Sequence, residues 1–107
     1  MRFNTALLHS AKLGDENTGA TLTPIYQSSA FYQPSAEQHE KLFHNKATGY
    51  SYTRINNPTI VAFEERMTNL EKGVGSVACS SGMAALTNAL LNIVGAGGEI
   101  VSSTGLY

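Results

Sequence analysis

Ser76-Val77-Ala78-Cys79-Ser80-Ser81-Gly82-Met83-Ala84-Ala85-Leu86 carries more structural information than any other segment of this sequence. An apolar run of small residues reaches a Ser-Ser-Gly corner, and a helix-forming pattern starts directly behind it. A strand that turns into a helix in this way leaves the first helical N–H groups unpaired and pointing outward. Those donors and the positive end of the helix dipole form a seat for a phosphate or another anion. Gly82 would let a ligand approach the backbone closely. An ordinary strand-to-helix junction with a capping serine has the same appearance, so both readings stand at this point.

Working outward, Gly49-Tyr50-Ser51-Tyr52-Thr53-Arg54-Ile55-Asn56-Asn57-Pro58-Thr59 begins without helical periodicity and reads as an extended arm. Residues two apart in an extended chain point the same way, so Tyr50, Tyr52 and Arg54 are expected on one face. A guanidinium fork matches phosphate oxygens, and a phenol hydroxyl supplies one more donor. A solvated loop with an ordinary arginine is the plainer alternative. The arm's pairing with a helix-start corner downstream makes a phosphate-bearing ligand worth arguing.

Tyr52-Thr53-Arg54-Ile55-Asn56-Asn57-Pro58-Thr59, then Leu70-Glu71, then Ser80 to Ala85, then Gly105-Leu106-Tyr107 follow one family's order and spacing. The chain resembles the amino-terminal part of the Cys/Met-metabolism family of pyridoxal-phosphate (PLP) enzymes. That family includes cystathionine γ-synthase, cystathionine lyases, methionine γ-lyase and O-acetylhomoserine sulfhydrylase. The likeness runs from about Thr21 to the last residue; the motifs are specific as a set and weak singly. It implies an α/β fold: the start of the aspartate aminotransferase-like, fold type I large domain, preceded by an extended N-terminal arm. The expected division is 1–57 as arm and dimer clasp, and 58–107 as the first helix and a βαβ-like portion of the PLP-binding domain.

The resemblance also implies roles. Tyr52 and Arg54 would reach across a subunit boundary to the cofactor phosphate of the neighbouring chain. Ser81, Gly82 and Met83 would hold the phosphate of the chain's own cofactor, largely through backbone N–H groups. Tyr107 would stack on the pyridine ring and assist proton transfer or leaving-group departure, although a tyrosine closing a strand is usually core or rim. A homo-oligomer follows, with a dimer as the catalytic unit and a tetramer as the assembly, acting on a small amino-acid substrate. The family's cofactor-bonding lysine, its acidic partner for the pyridine nitrogen and its substrate-carboxylate arginine all lie beyond its Gly-Leu-Tyr segment. Lys12, Lys41, Lys46 and Lys72 stand in the wrong context for that lysine, so the chain reads as a fragment holding part of an active site.

Composition agrees. In 107 residues the charged share is 14%, well below the globular norm, which suits a segment covered by other protein surface. A formal net charge of -1 gives no long-range attraction to nucleic acid or anionic membrane. No apolar run approaches a membrane span, and the start lacks a signal-peptide pattern. The single Cys79 excludes an internal disulfide and a Cys-based metal cluster, and a cytoplasmic setting is expected. Glu40 and His44 sit one helical turn apart without a third ligand, so no metal site is expected.

Along the chain, Ala6, Leu7, Leu8, Ala11 and Leu13 form a short amphipathic stretch before a Gly14–Gly19 loop. Pro24 to Tyr32 reads as irregular, with exposed aromatics that mark a subunit contact. Ser35 to Lys46 permits a short polar helix. Asn57 and Pro58 start a helix buried through Ile60, Phe63, Met67 and Leu70, with Gly73 as its C′ residue. A second helix, about Gly82 to Val94, is apolar on more than one side and is expected to be deeply buried. Glu99 to Ser103 reads as a strand, which completes a βαβ-like unit.

Leu42 to Tyr50 resembles the longer lead-in common in O-acetylhomoserine sulfhydrylases, which replace the acetate of O-acetylhomoserine with sulfide or a thiol; this reading is favoured over a γ-lyase, although the lyases share every motif seen here. Two further readings remain: a non-catalytic remnant or subunit, and a generic phosphate-binding α/β segment unrelated to PLP.

Overall fold

The computed structural model describes residues 2–11 and 14–106. Contacts divide the chain into two compact units, Met1–Val77 and Ala78–Tyr107. Four helices are present among the described residues: α1 (Phe3–His9), α2 (Ala36–Phe43), α3 (Pro58–Glu71) and α4 (Gly82–Ile93).

Local capping chemistry explains where these helices begin. The side chains of Ser35, Asn57 and Ser81 each accept a hydrogen bond from a first-turn amide, of Gln38, Thr59 and Ala84 respectively. Each thereby satisfies one of the donors a helix start leaves unpaired. Pro58 occupies the first turn of α3, where its missing N–H costs nothing. Only α1 begins without a side-chain cap.

The stop of α3 differs from expectation. The left-handed residue is Lys72, at φ 55° and ψ 33°, and Gly73 follows it, its amide donating to the Thr68 carbonyl over 2.9 Å. A Cβ disfavours that conformation. Lys72→Gly should therefore stabilise the natural-length protein by about 0.5–1 kcal/mol, read as a higher denaturant midpoint with unchanged slope.

In the first unit α1 packs on α3, and the Asn69 side-chain amide donates to the Ser10 carbonyl. The segment after Pro24 runs antiparallel to the one after Gly49. Phe31 N donates to Ser51 O and Thr53 N to Ser29 O, both at 2.9 Å, around the Ala30–Tyr52 bridge. The Gln33 side chain extends this seam by donating to Tyr50 O at 2.7 Å.

Asn57 ties the seam to α3 and is the only buried residue among those described, at 2% exposure. Its Oδ1 accepts from Thr59 N at 2.8 Å, and its Nδ2 donates to Tyr26 O at 2.9 Å and to Thr53 Oγ1 at 3.1 Å. Thr59 adds a second tie, its hydroxyl accepting from Tyr26 N at 2.9 Å and donating to Pro24 O at 3.3 Å.

Three expectations are corrected. First, 76–80 and 99–103 form no strand; the described residues hold only isolated bridges, Asp15–Ala20 and Ala30–Tyr52. Parallel strands exist only as members of a ladder, and no such ladder is present among the described residues. Second, α4 is not buried: Leu91 is 73% and Ile93 82% exposed, and no described hydrophobic residue is buried. An apolar helix face is covered only where a second layer lies on it. Third, Ile60 and Phe63 of α3 stay exposed, while Val61 and Ala62 are half-buried toward the arm. The seam at Tyr26 and Tyr50, which lines a cavity with Val61 and Ala62, draws that side of α3 inward. The α3 helix itself belongs to the same unit as the arm, held there by Asn57, Thr59 and Asn69.

Candidate cofactor-phosphate site

The arm brings Tyr52 and Arg54 together, though not by the expected extended geometry. Ile55 N and Asn56 N both donate to Tyr52 O, at 2.9 and 3.1 Å, which closes a turn over residues 52–55. This turn sets the Arg54 guanidinium 5.2 Å from the centre of the Tyr52 ring, within cation–π range. Both side chains are exposed, Tyr52 by 41%. With Tyr26, Gln27, Ser28, Ser29 and Thr53 they line a groove of about 460 Å³. Among the described residues no carboxylate pairs with Arg54.

Tyr50 departs from the expected shared face. It is half-buried, its ring 5.6 Å from that of Phe31, and it lines cavities other than the Tyr52–Arg54 groove. Burial raises its phenol pKa, with the Glu65 carboxylate and Tyr26 acting in the same direction. Tyr50 therefore stays protonated at neutral pH and serves packing.

In the second unit Ser81, Gly82 and Met83 stand together at the start of α4. Ser81 Oγ accepts from Ala84 N at 3.1 Å, and Ser81 O accepts from Ala85 N at 3.1 Å. The amides of Gly82 and Met83 have no intrahelical acceptor and point out of the helix end. A Cβ placed on Gly82 would meet nothing within 4 Å, and its φ is not positive. The fold itself thus makes no demand for glycine at this position. Two outward amides on an open corner and a serine hydroxyl with its proton still to donate are donors of the kind a phosphate monoester accepts from. In the first unit, the Arg54 guanidinium is a donor of the same use. The residues present fit the phosphate end of PLP.

Tyr107 lies outside the described residues. Cys79 Sγ accepts from the Asn88 side chain at 3.7 Å. His44 and Glu40 face each other at 3.9 Å on the exposed side of α2, and His39 packs on Phe43 instead. Among the described residues no three His, Cys, Asp or Glu side chains gather. Sequence reasoning took Asn57 as a helix cap only and missed its ties to Tyr26 and Thr53. The motif Asn57-Pro58-Thr59 signals the cap, whereas nothing local signals acceptors four and thirty-one residues away.

Known proteins are similar to this chain in sequence and in fold. The O-acetyl-L-homoserine sulfhydrylase of Corynebacterium glutamicum is 48% identical over 105 residues, 98% of this chain and 24% of the relative. The cystathionine gamma-lyase of Bacillus subtilis is 42% identical over 107 residues, 100% of this chain and 26% of the relative. The chain therefore spans about a quarter of the length of the curated relatives it matches.

Among solved structures, the cystathionine gamma-lyase of Lactobacillus plantarum superposes with a TM-score of 0.69 at 37% identity, covering 84% of this chain and 21% of that one. An O-acetylhomoserine (thiol)-lyase-type protein of Campylobacter jejuni, solved with N′-pyridoxyl-lysine-5′-monophosphate, gives 0.78 at 32% identity, covering 86% and 23%. These likenesses give the chain the fold of a small amino-terminal piece of a fold type I enzyme. A sequence model of the Cys/Met metabolism PLP-dependent enzymes matches residues 4–107, nearly the whole chain. A phosphate-binding segment unrelated to PLP is thereby ruled out: the chain belongs to the Cys/Met metabolism PLP-dependent enzyme family.

Proposed function

We propose that this chain is the amino-terminal part of a PLP-dependent transferase that replaces the acetate of O-acetylhomoserine with sulfide or a thiol. The products would be homocysteine or methionine, and acetate. The observation that carries the reading is the 48% identity to a sulfhydrylase across nearly the whole chain. Methionine γ-lyase or cystathionine γ-lyase activity is the second reading, supported by relatives at 38–42% identity.

In this proposal Gly82 and Met83 present their amides to the phosphate of the chain's own cofactor, with the Ser81 hydroxyl beside them. Tyr52 and Arg54 serve the cofactor of a neighbouring subunit in a homo-oligomer, a dimer as catalytic unit within a tetramer. Exposed Tyr32 and the Tyr52–Arg54 groove support such a contact, because tyrosine and arginine are enriched in subunit interfaces. When bound, PLP supplies an electron sink for the carbanion formed on the amino-acid substrate. The protein's part here is to fix the phosphate end, so that the ring is held in one orientation. The role of Tyr107 at the ring rests on the sequence resemblance alone. A cytoplasmic setting is proposed on the same sequence grounds.

Gly82→Ala separates the fold's needs from the ligand's. Alanine is the better helix residue, by up to about 1 kcal/mol, and the site has room for its Cβ. The variant should keep or gain thermal stability without cofactor yet bind PLP roughly tenfold more weakly, because the added Cβ would hold the phosphate off amides that alanine itself retains. Unchanged PLP affinity would mean that the phosphate makes no close approach at the Gly82 Cα. The reaction itself is tested by incubating the natural-length protein with PLP, sulfide and O-acetylhomoserine. Homocysteine and acetate in equal amounts are expected. Ammonia and a 2-oxo acid from methionine, without homocysteine formation, would favour the lyase reading instead.

A further inference from the structure

We infer that Asn57 is a positioning residue for the Tyr52–Arg54 pair, acting through its side-chain N–H donors rather than through its role as a helix cap. The inference rests on the reading that Arg54 engages the cofactor phosphate.

The two ends of the Asn57 amide do separate work. Oδ1 accepts from Thr59 N at 2.8 Å and starts α3. Serine at a cap performs that task about equally well. Nδ2 faces away from the helix, donating to Thr53 Oγ1 at 3.1 Å and to Tyr26 O at 2.9 Å. Thr53 is the residue between Tyr52 and Arg54. Its hydroxyl donates onward to the Ser28 carbonyl, and its own amide donates to Ser29 O at 2.9 Å. Asn57 and the 28–29 backbone thus grip the 52–55 turn from two sides. Tyr26, Ser28 and Ser29 on one wall of the groove and Tyr52, Thr53 and Arg54 on the other are all fixed through this cluster.

Burial makes the cluster directional. At 2% exposure Asn57 has no water to replace a lost partner, so its donors hold Thr53 Oγ1 and Tyr26 O in one arrangement. The Arg54 and Tyr52 side chains, by contrast, are exposed and make no side-chain hydrogen bond among the described residues. Their placement is inherited from the backbone turn, and the turn is held by Thr53 and Asn57. A misplacement of about 1 Å in a binding group is enough to lose most of an oriented, charge-assisted contact.

The test uses Asn57→Ser, which keeps the cap oxygen but cannot reach Tyr26 O or Thr53 Oγ1, in the natural-length protein. Dissociation constants for PLP and for pyridoxal, which lacks the phosphate, are measured by absorbance titration. The same pair is measured for Arg54→Ala and for the double variant. The expected result is about a tenfold loss of PLP affinity in Asn57→Ser with pyridoxal unchanged within about twofold, and no further loss when Arg54→Ala is already present.

Equal weakening of both ligands, an effect that adds fully to that of Arg54→Ala, or no effect at all would each overturn the inference. If Arg54→Ala itself fails to discriminate PLP from pyridoxal, the phosphate reading falls and this inference with it. An Arg54 effect without an Asn57 effect overturns the inference alone. Should Asn57→Ser not fold, Thr53→Val removes the shared hydroxyl at constant shape. It must then show the same phosphate-selective loss, at least about threefold, or the inference is overturned.

Discussion

Replacing Arg54 with alanine is expected to weaken PLP binding by about 10- to 100-fold in the natural-length protein, while affinity for pyridoxal changes less than about twofold. The size follows from a charge-assisted hydrogen bond, worth about 1.5–3 kcal/mol, with tenfold in affinity for each 1.4 kcal/mol. Arg54 suits the assignment because it is poised rather than engaged. It lies against the Tyr52 ring at 5.2 Å, in a groove open to a partner, and no described carboxylate neutralises it. Arg54→Lys keeps the charge but not the planar fork, so it should fall between the two. Equal loss of both ligands would mean that the substitution disturbs the arm, not a phosphate contact.

The second large effect concerns the 107-residue polypeptide taken by itself. It should show helical circular dichroism but no sharp, cooperative melting as a monomer, and it should bind a dye that reports exposed apolar surface. No described hydrophobic side chain is buried, and the apolar residues of α4 stand largely in the open. Apolar burial contributes about 25 cal/mol per Å², against a backbone entropy cost of about 1–2 kcal/mol per ordered residue. With almost nothing covered, the first cannot offset the second. The capped starts of α2, α3 and α4 still favour local helix, so secondary structure without cooperative packing is the expected state. A single steep transition in a demonstrated monomer would contradict this.

What could be read from the sequence was local, and what could not was long-range. Ser81 before Gly82 and Asn57 before Pro58 state where α4 and α3 begin, and both begin there, because a cap is a matter of three or four neighbouring residues. The 76–80 and 99–103 segments have strand composition yet form no ladder, since a parallel strand is defined by its neighbours and not by its own residues. Alternation put Tyr50, Tyr52 and Arg54 on one face. The turn at 52–55 instead keeps only the last two together and leaves Tyr50 against Phe31. Lys72 in the left-handed region, with Gly73 available one residue later, shows how hydrogen-bond geometry at a helix end can override residue preference. The residues proposed as phosphate donors were legible as motifs. The Asn57 cluster that arranges one half of them was not, because its partners are distant in sequence and polar side chains carry no periodicity.

The proposed site pairs the start of α4 in one subunit with Arg54 from the arm of its neighbour around one cofactor phosphate. A structure of the natural-length protein crystallised with PLP tests it most directly. The phosphate oxygens should lie about 2.7–3.2 Å from the Gly82 and Met83 amide nitrogens, with the Arg54 guanidinium of a neighbouring subunit at similar range. A phosphate bound away from the Gly82 corner, or Arg54 turned to solvent in the assembled oligomer, would contradict the account.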